Sequence, residues 1–206
     1  MSITENEFNE LVEAYASSST AIISDNLARE PGAVGIRPFH RCTSAVAGRA
    51  LTVRTRAGDN ATVHKALDMI QPGDFIIVDG GGDESRAVIG EIMAAIAKSR
   101  GAVGFVIDGA IRDVDVIAAD TFPVFAKTAI HRGPYKNGPG EINVPVSVGG
   151  MVVNPGDIVV GDGDGIVAFP VEGAKELLVA VRAQEKKEAE MLASIANGTY
   201  TNAYAK

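Results

Sequence analysis

Two short stretches carry residues able to do chemistry on an anion. One is Gly90-Glu91-Ile92-Met93, and the other runs from Asp108 through Gly109, Ala110 and Ile111 to Arg112-Asp113. The Arg112 guanidinium can grip a carboxylate with two parallel hydrogen bonds, and the adjacent Asp113 carboxylate suits a hard divalent cation. Gly90 lets a ligand approach the backbone, and a helix starting there offers its first amides and the positive end of its dipole. A plainer reading stays open. Arg112 and Asp113 could form a solvated cap on the following helix, and Glu91 could simply complement a helix dipole.

Other chemistries find weaker support. Cys42 is the single cysteine, so a disulfide or a Cys-based zinc site within one chain is excluded. His40, His64 and His131 form no HxH or HxxxH pair, and His64 falls on the polar side of its helix, as a surface or interface residue would. Lys98 and Lys127, the candidates for a Schiff base, have no distinctive setting. Neither Gly80–Gly82 nor Gly161–Gly165 fits a dinucleotide fingerprint or a phosphate loop. Asp162 and Asp164 could bind Ca²⁺, but between two short strands a hairpin turn is the simpler reading.

The elements that must position these residues follow from periodicity. Thr4 and Glu7 make a capping box for a first helix, and a second short helix covers about Thr20–Leu27. Pro31, Gly32 and Gly35 mark a loop, and period two from Ala45 to Arg56 predicts a strand. Asp59 is placed to cap a helix carrying Val63, Ala66, Leu67 and Ile70 on one face. Phe75–Val78 and Val103–Ile107 read as buried strands, with a loop at Asp79–Asp83, a helix at Gly90–Arg100, and a turn at Asp108–Asp113. A short helix at Val114–Ala119 follows. Strand–helix–strand predicts a parallel pair with a right-handed crossover, which sets the two chemical stretches side by side at the strands' carboxyl ends. Short strands at Val144–Val148, Met151–Val153, Ile158–Val160 and Ile166–Phe169 suggest a small antiparallel sheet or barrel. A last helix spans about 172–197. No linker is evident, so 1–206 reads as one α/β domain.

Composition narrows the partners. With 19 Lys and Arg against 26 Asp and Glu, the 206-residue chain carries a formal charge of −7. It lacks the positive field that nucleic acid or an anionic membrane needs. The polar N-terminal stretch is no signal peptide, and no apolar run approaches the ~18–20 residues of a membrane span. A cytoplasmic location is expected. Lys127, His131, Arg132 and Lys136 make a local basic cluster that could receive far carboxylates of a substrate or be a solvated loop.

Several of these runs together resemble the RraA-like family. They are Gly58-Asp59-Asn60, Val63–Leu67, Gln71-Pro72-Gly73-Asp74, Gly90–Met93, Gly101–Gly104, Asp108–Asp113 and Asn154–Pro170, and the likeness covers roughly residues 20–195. The most specific element is an acid, twenty intervening positions and Arg-Asp, here Glu91 and Arg112-Asp113. The resemblance implies an α/β/β sandwich around a small central barrel, assembled as a trimer or a pair of trimers with sites between subunits. It implies a metal-dependent aldolase that cleaves 4-hydroxy-4-methyl-2-oxoglutarate-type acids to pyruvate and also decarboxylates oxaloacetate. In that scheme Arg112 holds the pyruvyl portion, and Asp113 anchors Mg²⁺ or Mn²⁺ mostly through water. The backbone at Gly90, Ile92 and Met93 meets the substrate carboxylate. Glu91 orients water on the cation, although the family usually has Asp there, one methylene shorter. A further acid from a neighbouring subunit's last helix completes the set, with Glu185, Glu188 and Glu190 as candidates and Glu188 favoured by spacing. The same family contains non-catalytic regulators that bind and inhibit ribonuclease E, so a protein-binding trimer is the alternative.

Overall fold

The computed structural model describes residues 3–29 and 32–202, so Pro31 of the expected loop lies outside the described residues. Helix α1 (Glu5–Tyr15) begins at the expected capping box: Thr4 Oγ1 accepts the Glu7 amide, and the Glu7 carboxylate accepts the Thr4 amide at 2.9 Å. Helix α2 (Thr20–Asp25) ends short of Leu27, where Ala28 and Arg29 turn left-handed. Next come β1 (Arg37–Pro38), β2 (Val46–Thr55) and α3 (Ala61–Leu67). Asn60, not Asp59, takes the N-cap position of α3, although the Asp59 carboxylate still accepts the Ala61 amide at 2.8 Å.

The largest departure from expectation follows. Strand β3 (Asp74–Ile89) runs through the glycine-rich stretch predicted to be a loop. Its partner β4 (Gly104–Ile111) likewise extends past Ile107 into the expected turn. The two pair in parallel without interruption from Phe75–Gly104 to Asp79–Asp108. Register shifts then set Asp83 opposite Gly109, Ala87 opposite Ala110 and Ile89 opposite Ile111. Extra residues of β3 therefore bulge outward while the ladder continues, which is why the composition looked like a loop. Helix α4 (Glu91–Ser99), helix α5 (Val114–Ala119) and strand β5 (Val124–Ala129) complete the α/β part.

Short strands follow: β6 (Gly140–Ile142), β7 (Val146–Val148), β8 (Met151–Val153), β9 (Ile158–Gly161) and β10 (Ile166–Phe169). Strand β7 starts two residues later than expected, because the Val144 carbonyl accepts the Thr52 hydroxyl and belongs to the approach to the strand. Helix α6 (Ala174–Ala196) closes the chain. The main sheet runs β1-β5-β4-β3-β2-β9-β10, with β6 also on β2; the β3–β4 pair is parallel as anticipated, and β2–β3 and β4–β5 are parallel too.

Burial explains the layers. Helices α3, α4 and α5 cover one face of the sheet through Val63, Leu67, Met93 and Ile117. On the other face, Phe75, Ile77, Val106 and Phe125 pack against Val146, Val148, Met151 and Val153 of the β7–β8 hairpin. The hairpin also meets β10, so the sheet curls into a nearly closed barrel. Each such side chain contributes about 1.5–3 kcal/mol by leaving water. Helices α1, α2 and α6 cover the outer side at β9 and β10. The result is a mixed α/β domain whose strands β3 and β4 deliver their carboxyl ends to one place.

Candidate active site

That place is where β3 passes into α4 and β4 into α5. The Arg112 amide donates to the Ile89 carbonyl at 3.1 Å, tying the two strand ends together. Asp113 then takes a left-handed backbone conformation (φ 60°, ψ 39°), strain of roughly 1–2 kcal/mol that Asp tolerates better than most residues. It occupies the N-cap position of α5, yet makes no side-chain cap bond to α5. Instead its Oδ2 accepts the Glu91 amide of α4 at 3.0 Å. The plainer reading left open, a simple cap on the following helix, is not what Asp113 does: the carboxylate reaches across to the neighbouring helix.

Gly90 makes that reach possible. Its backbone is extended, so no special conformation is needed there. A Cβ at Gly90, however, would collide with Asp113 Oδ2 and come within 3.0 Å of Arg112 Cγ. The missing side chain thus makes room for a carboxylate of the chain itself. The Ile92 and Met93 amides, next in the first turn of α4, have no acceptor within the helix. The Ile92 side chain is 71% exposed.

Arg112 is half-exposed, and among the described residues its guanidinium makes no hydrogen bond. Its nearest charge is Asp113 Oδ2, 3.7 Å from Nε, too long for a hydrogen bond. Its donors are free for a ligand.

Two hollows meet at the Arg112–Asp113 ridge. A cavity of about 110 Å³ is lined by Gly90, Ile92, Met93, Arg112 and Asp113 together with Asn60, His64 and Lys136. A more open hollow of about 450 Å³ is lined by Glu91, Asp115 and His131 with the same Arg112 and Asp113. Gly90, Ile92, Met93, Arg112 and Asp113 are thus brought together, and Glu91 lies on the other side of the ridge. Glu188 is elsewhere in the chain. It accepts from Gln184 at 2.9 Å, and Gln184 also bonds Asn26 and Asp25 near the end of α2. The basic cluster is dispersed. Lys127 pairs with Glu84 at 3.6 Å, His131 lines the open hollow and Lys136 the small cavity.

Lys136, from the basic cluster that could receive far carboxylates, does line this cavity, while Asn60 and His64 are the lining residues that sequence reasoning gave no role in the site. Asn60 and His64 stand four apart at the start of α3, a spacing that shares one helix face and was legible as such. The buried Asn60 donates to the Val88 carbonyl at 2.9 Å, while its Oδ1 has no partner. Burial holds His64 below the usual histidine range, Lys136 adds to that effect and Asp68 opposes it.

Among the described residues no three His, Cys, Asp or Glu side chains converge. A closed zinc-type centre within one chain does not fit that arrangement. A half-exposed carboxylate does fit a hard cation that keeps most of its waters. The Asp162–Asp164 segment is a turn, with Asp162 accepting the Thr20 amide and hydroxyl at 2.8 and 2.7 Å. No helix among the described residues is long and apolar enough to cross a membrane.

Comparison with known proteins agrees with this layout. A Halalkalibacterium halodurans protein, provisionally named 4-hydroxy-4-methyl-2-oxoglutarate aldolase, is 41% identical over 155 residues, 75% of this chain and 72% of its own. A Pseudomonas syringae structure of uncharacterized function superposes with a TM-score of 0.84 at 27% identity, covering 93% of this chain and 94% of its own. The RNA-processing inhibitor RraA from Thermus thermophilus superposes at 0.67 with 33% identity, over 74% of this chain and 93% of its own. The Aldolase/RraA model matches residues 20–168, nearly all of the sheet together with the ridge, and on that match the chain belongs to the RraA-like family.

Proposed function

We propose that this protein is a divalent-metal-dependent pyruvate aldolase that cleaves 4-hydroxy-2-oxo acids to pyruvate and decarboxylates oxaloacetate. The observation that carries this reading is the Arg112 guanidinium, half-exposed and without a hydrogen bond, beside Asp113 and the open first turn of α4. Both reactions pass through the enolate of pyruvate, so the chemical problem is negative charge appearing on the keto oxygen.

The residues divide the work. Arg112 binds the 2-oxo acid end through its free donors, and the Ile92 and Met93 amides receive the carboxylate. Asp113 would hold Mg²⁺ or Mn²⁺, which when bound supplies Lewis-acid polarisation of the keto group. Glu91, on the far side of the ridge, orients water and manages the proton of the 4-hydroxyl group. The unpartnered Asn60 Oδ1 offers an acceptor on the wall of the small cavity. An acid from another copy's α6 completes the set in a trimer or hexamer, with Glu188 the candidate. Two observations support that assembly: Glu188 lies away from its own ridge, and Leu192 and Ile195 on the same helix are 66% and 52% exposed.

Pyruvate release from oxaloacetate and from 4-hydroxy-4-methyl-2-oxoglutarate, coupled to lactate dehydrogenase, tests the reading. The expected result is turnover stimulated by Mg²⁺ or Mn²⁺ and abolished by EDTA. Turnover that survives EDTA would overturn the scheme. No pyruvate under any condition would favour the second reading, a protein-binding regulator, which the likeness to the Thermus inhibitor supports.

A further inference from the structure

We propose that Asp59 is a positioning residue for this site, holding the segment Tyr135–Gly138 so that Lys136 is presented to the cavity that Arg112 lines. The inference rests on the reading above only in taking that cavity as the place where substrate binds.

The Asp59 side chain is fully buried, yet it serves four donors. Its Oδ1 accepts the Ala61 amide at 2.8 Å; its Oδ2 accepts the Asn137 and Gly138 amides at 3.0 and 2.7 Å and Arg56 Nη2 at 3.0 Å. Burial alone would push this carboxyl up, but the three amides and the Arg56 charge outweigh it and hold it below the usual range. The other neighbour of Lys136 is tied to the same three residues. The Tyr135 amide donates to the Gly58 carbonyl at 2.9 Å, and the Asn60 amide donates to the Tyr135 carbonyl at 3.1 Å.

Lys136 is therefore bracketed on both sides by backbone bonds to Gly58–Asn60, and its own side chain makes no ion pair among the described residues. Two arginines lock the bracket from outside. Arg56 also reaches Asn137 Oδ1 at 3.0 Å and stands 5.3 Å from the centre of the Tyr135 ring. Arg86 lies 4.0 Å from that centre and donates to the Gly133 carbonyl at 2.8 Å. Asp59 also fixes the first turn of α3, which carries Asn60 and His64. All its bonds thus go to segments that line one cavity or brace it, and that is the difference from a general stabilising residue.

The test is a set of variants read in two ways. In the oxaloacetate assay, Asp59→Asn and Lys136→Met should each raise KM about tenfold with a smaller change in kcat, the scale of one lost charged contact. The double variant should be no worse than Lys136→Met alone. Asp59→Asn sets an amide donor against amide donors, so it could unfold the chain. Gly138→Ala is the second route, because its Cβ would sit 2.8 Å from Asp59 Cγ and 2.9 Å from Oδ2, prising the bracket open with Asp59 intact.

The second readout needs no turnover: NMR titration of His64, assigned with His64→Gln. Lys136→Met should move the His64 midpoint up, and Asp59→Asn or Gly138→Ala should move it in the same direction. A His64 midpoint that shifts in Lys136→Met but stays put in a folded bracket variant would overturn the proposal, as would additive losses in KM. If the wild-type protein releases no pyruvate, the catalytic reading fails and the His64 titration still decides the role of Asp59.

Discussion

The carboxylate of Asp113, at the head of one helix, accepts the amide of Glu91, at the head of the next, at 3.0 Å. Together with the Arg112 amide–Ile89 carbonyl bond, this contact joins the two stretches and sets the Asp113 carboxylate 3.7 Å from Arg112 Nε. Several consequences can be measured.

Gly90→Ala should disable the site without unfolding the protein. The added methyl group would occupy the position of Asp113 Oδ2 and crowd Arg112, while the extended backbone tolerates alanine. Displacing both groups by about 1 Å should lower kcat/KM for oxaloacetate ~10²-fold. Circular dichroism and thermal midpoint should stay close to those of the parent.

Arg112→Lys should fail nearly as badly as Arg112→Ala. A planar fork that binds two oxygens is not replaced by a point charge on a flexible stem. A loss on the order of 10²–10³ in kcat/KM is expected for both, as for other preorganised donors. Pyruvate affinity by calorimetry in the presence of Mg²⁺ should fall with it, and a Lys variant at parental activity would contradict the assigned role.

Asp113→Asn separates the two tasks of that carboxylate. The amide oxygen can still accept the Glu91 amide, so α4 keeps its cap, but the negative charge is gone. Mn²⁺ binding followed by electron paramagnetic resonance should weaken at least ~10-fold, with the folding midpoint within about 0.5 kcal/mol of the parent. Unchanged Mn²⁺ affinity would remove Asp113 from the metal site.

Acid should loosen the fold through His40. This ring is buried edge-on against Phe125, and its Nδ1 accepts the Val124 amide at 3.2 Å. Burial depresses its pKa below 6.5, only partly offset by the Val124 backbone. The unfolded chain therefore binds the proton more readily, so this contribution to stability is complete above pH 6.5 and is lost as pH falls through the folded value. His64 titrates in the same sense, which makes the comparison with His40→Gln necessary. Urea midpoints at pH 8 and pH 5.5 should differ more for the parent than for that variant.

Much of this layout was legible in the chain. The parallel β3–β4 pair, the start of α4 and the nearness of Glu91 to Arg112-Asp113 follow from buried strands joined by short helices. The carboxylate's reach to the neighbouring helix was not legible, because it depends on the left-handed Asp113 backbone and on how far β4 continues past Ile107. The bulged part of β3 was misread because Asp-Gly-Gly-Gly-Asp is turn chemistry, and only the partner strand shows that the ladder resumes at Asp83 and again at Ala87. His64 was assigned to the surface or an interface from its own helix alone. The segment that walls it in, with Lys136, arrives from seventy residues later and is held there by the Asp59 carboxylate, which no local pattern announces.

The ridge between the two hollows has a practical consequence for inhibitor chemistry. A small carboxylate anchored on Arg112 would sit at a fork, able to be extended toward His64 and Lys136 or toward Glu91 and His131. The first direction offers the Lys136 cation to an added acid, and the second offers the Glu91 and Asp115 carboxylates to an added amine. Two compound series grown from one anchor would therefore favour substituents of opposite charge, so a screen could tell which hollow each occupied from its preference alone.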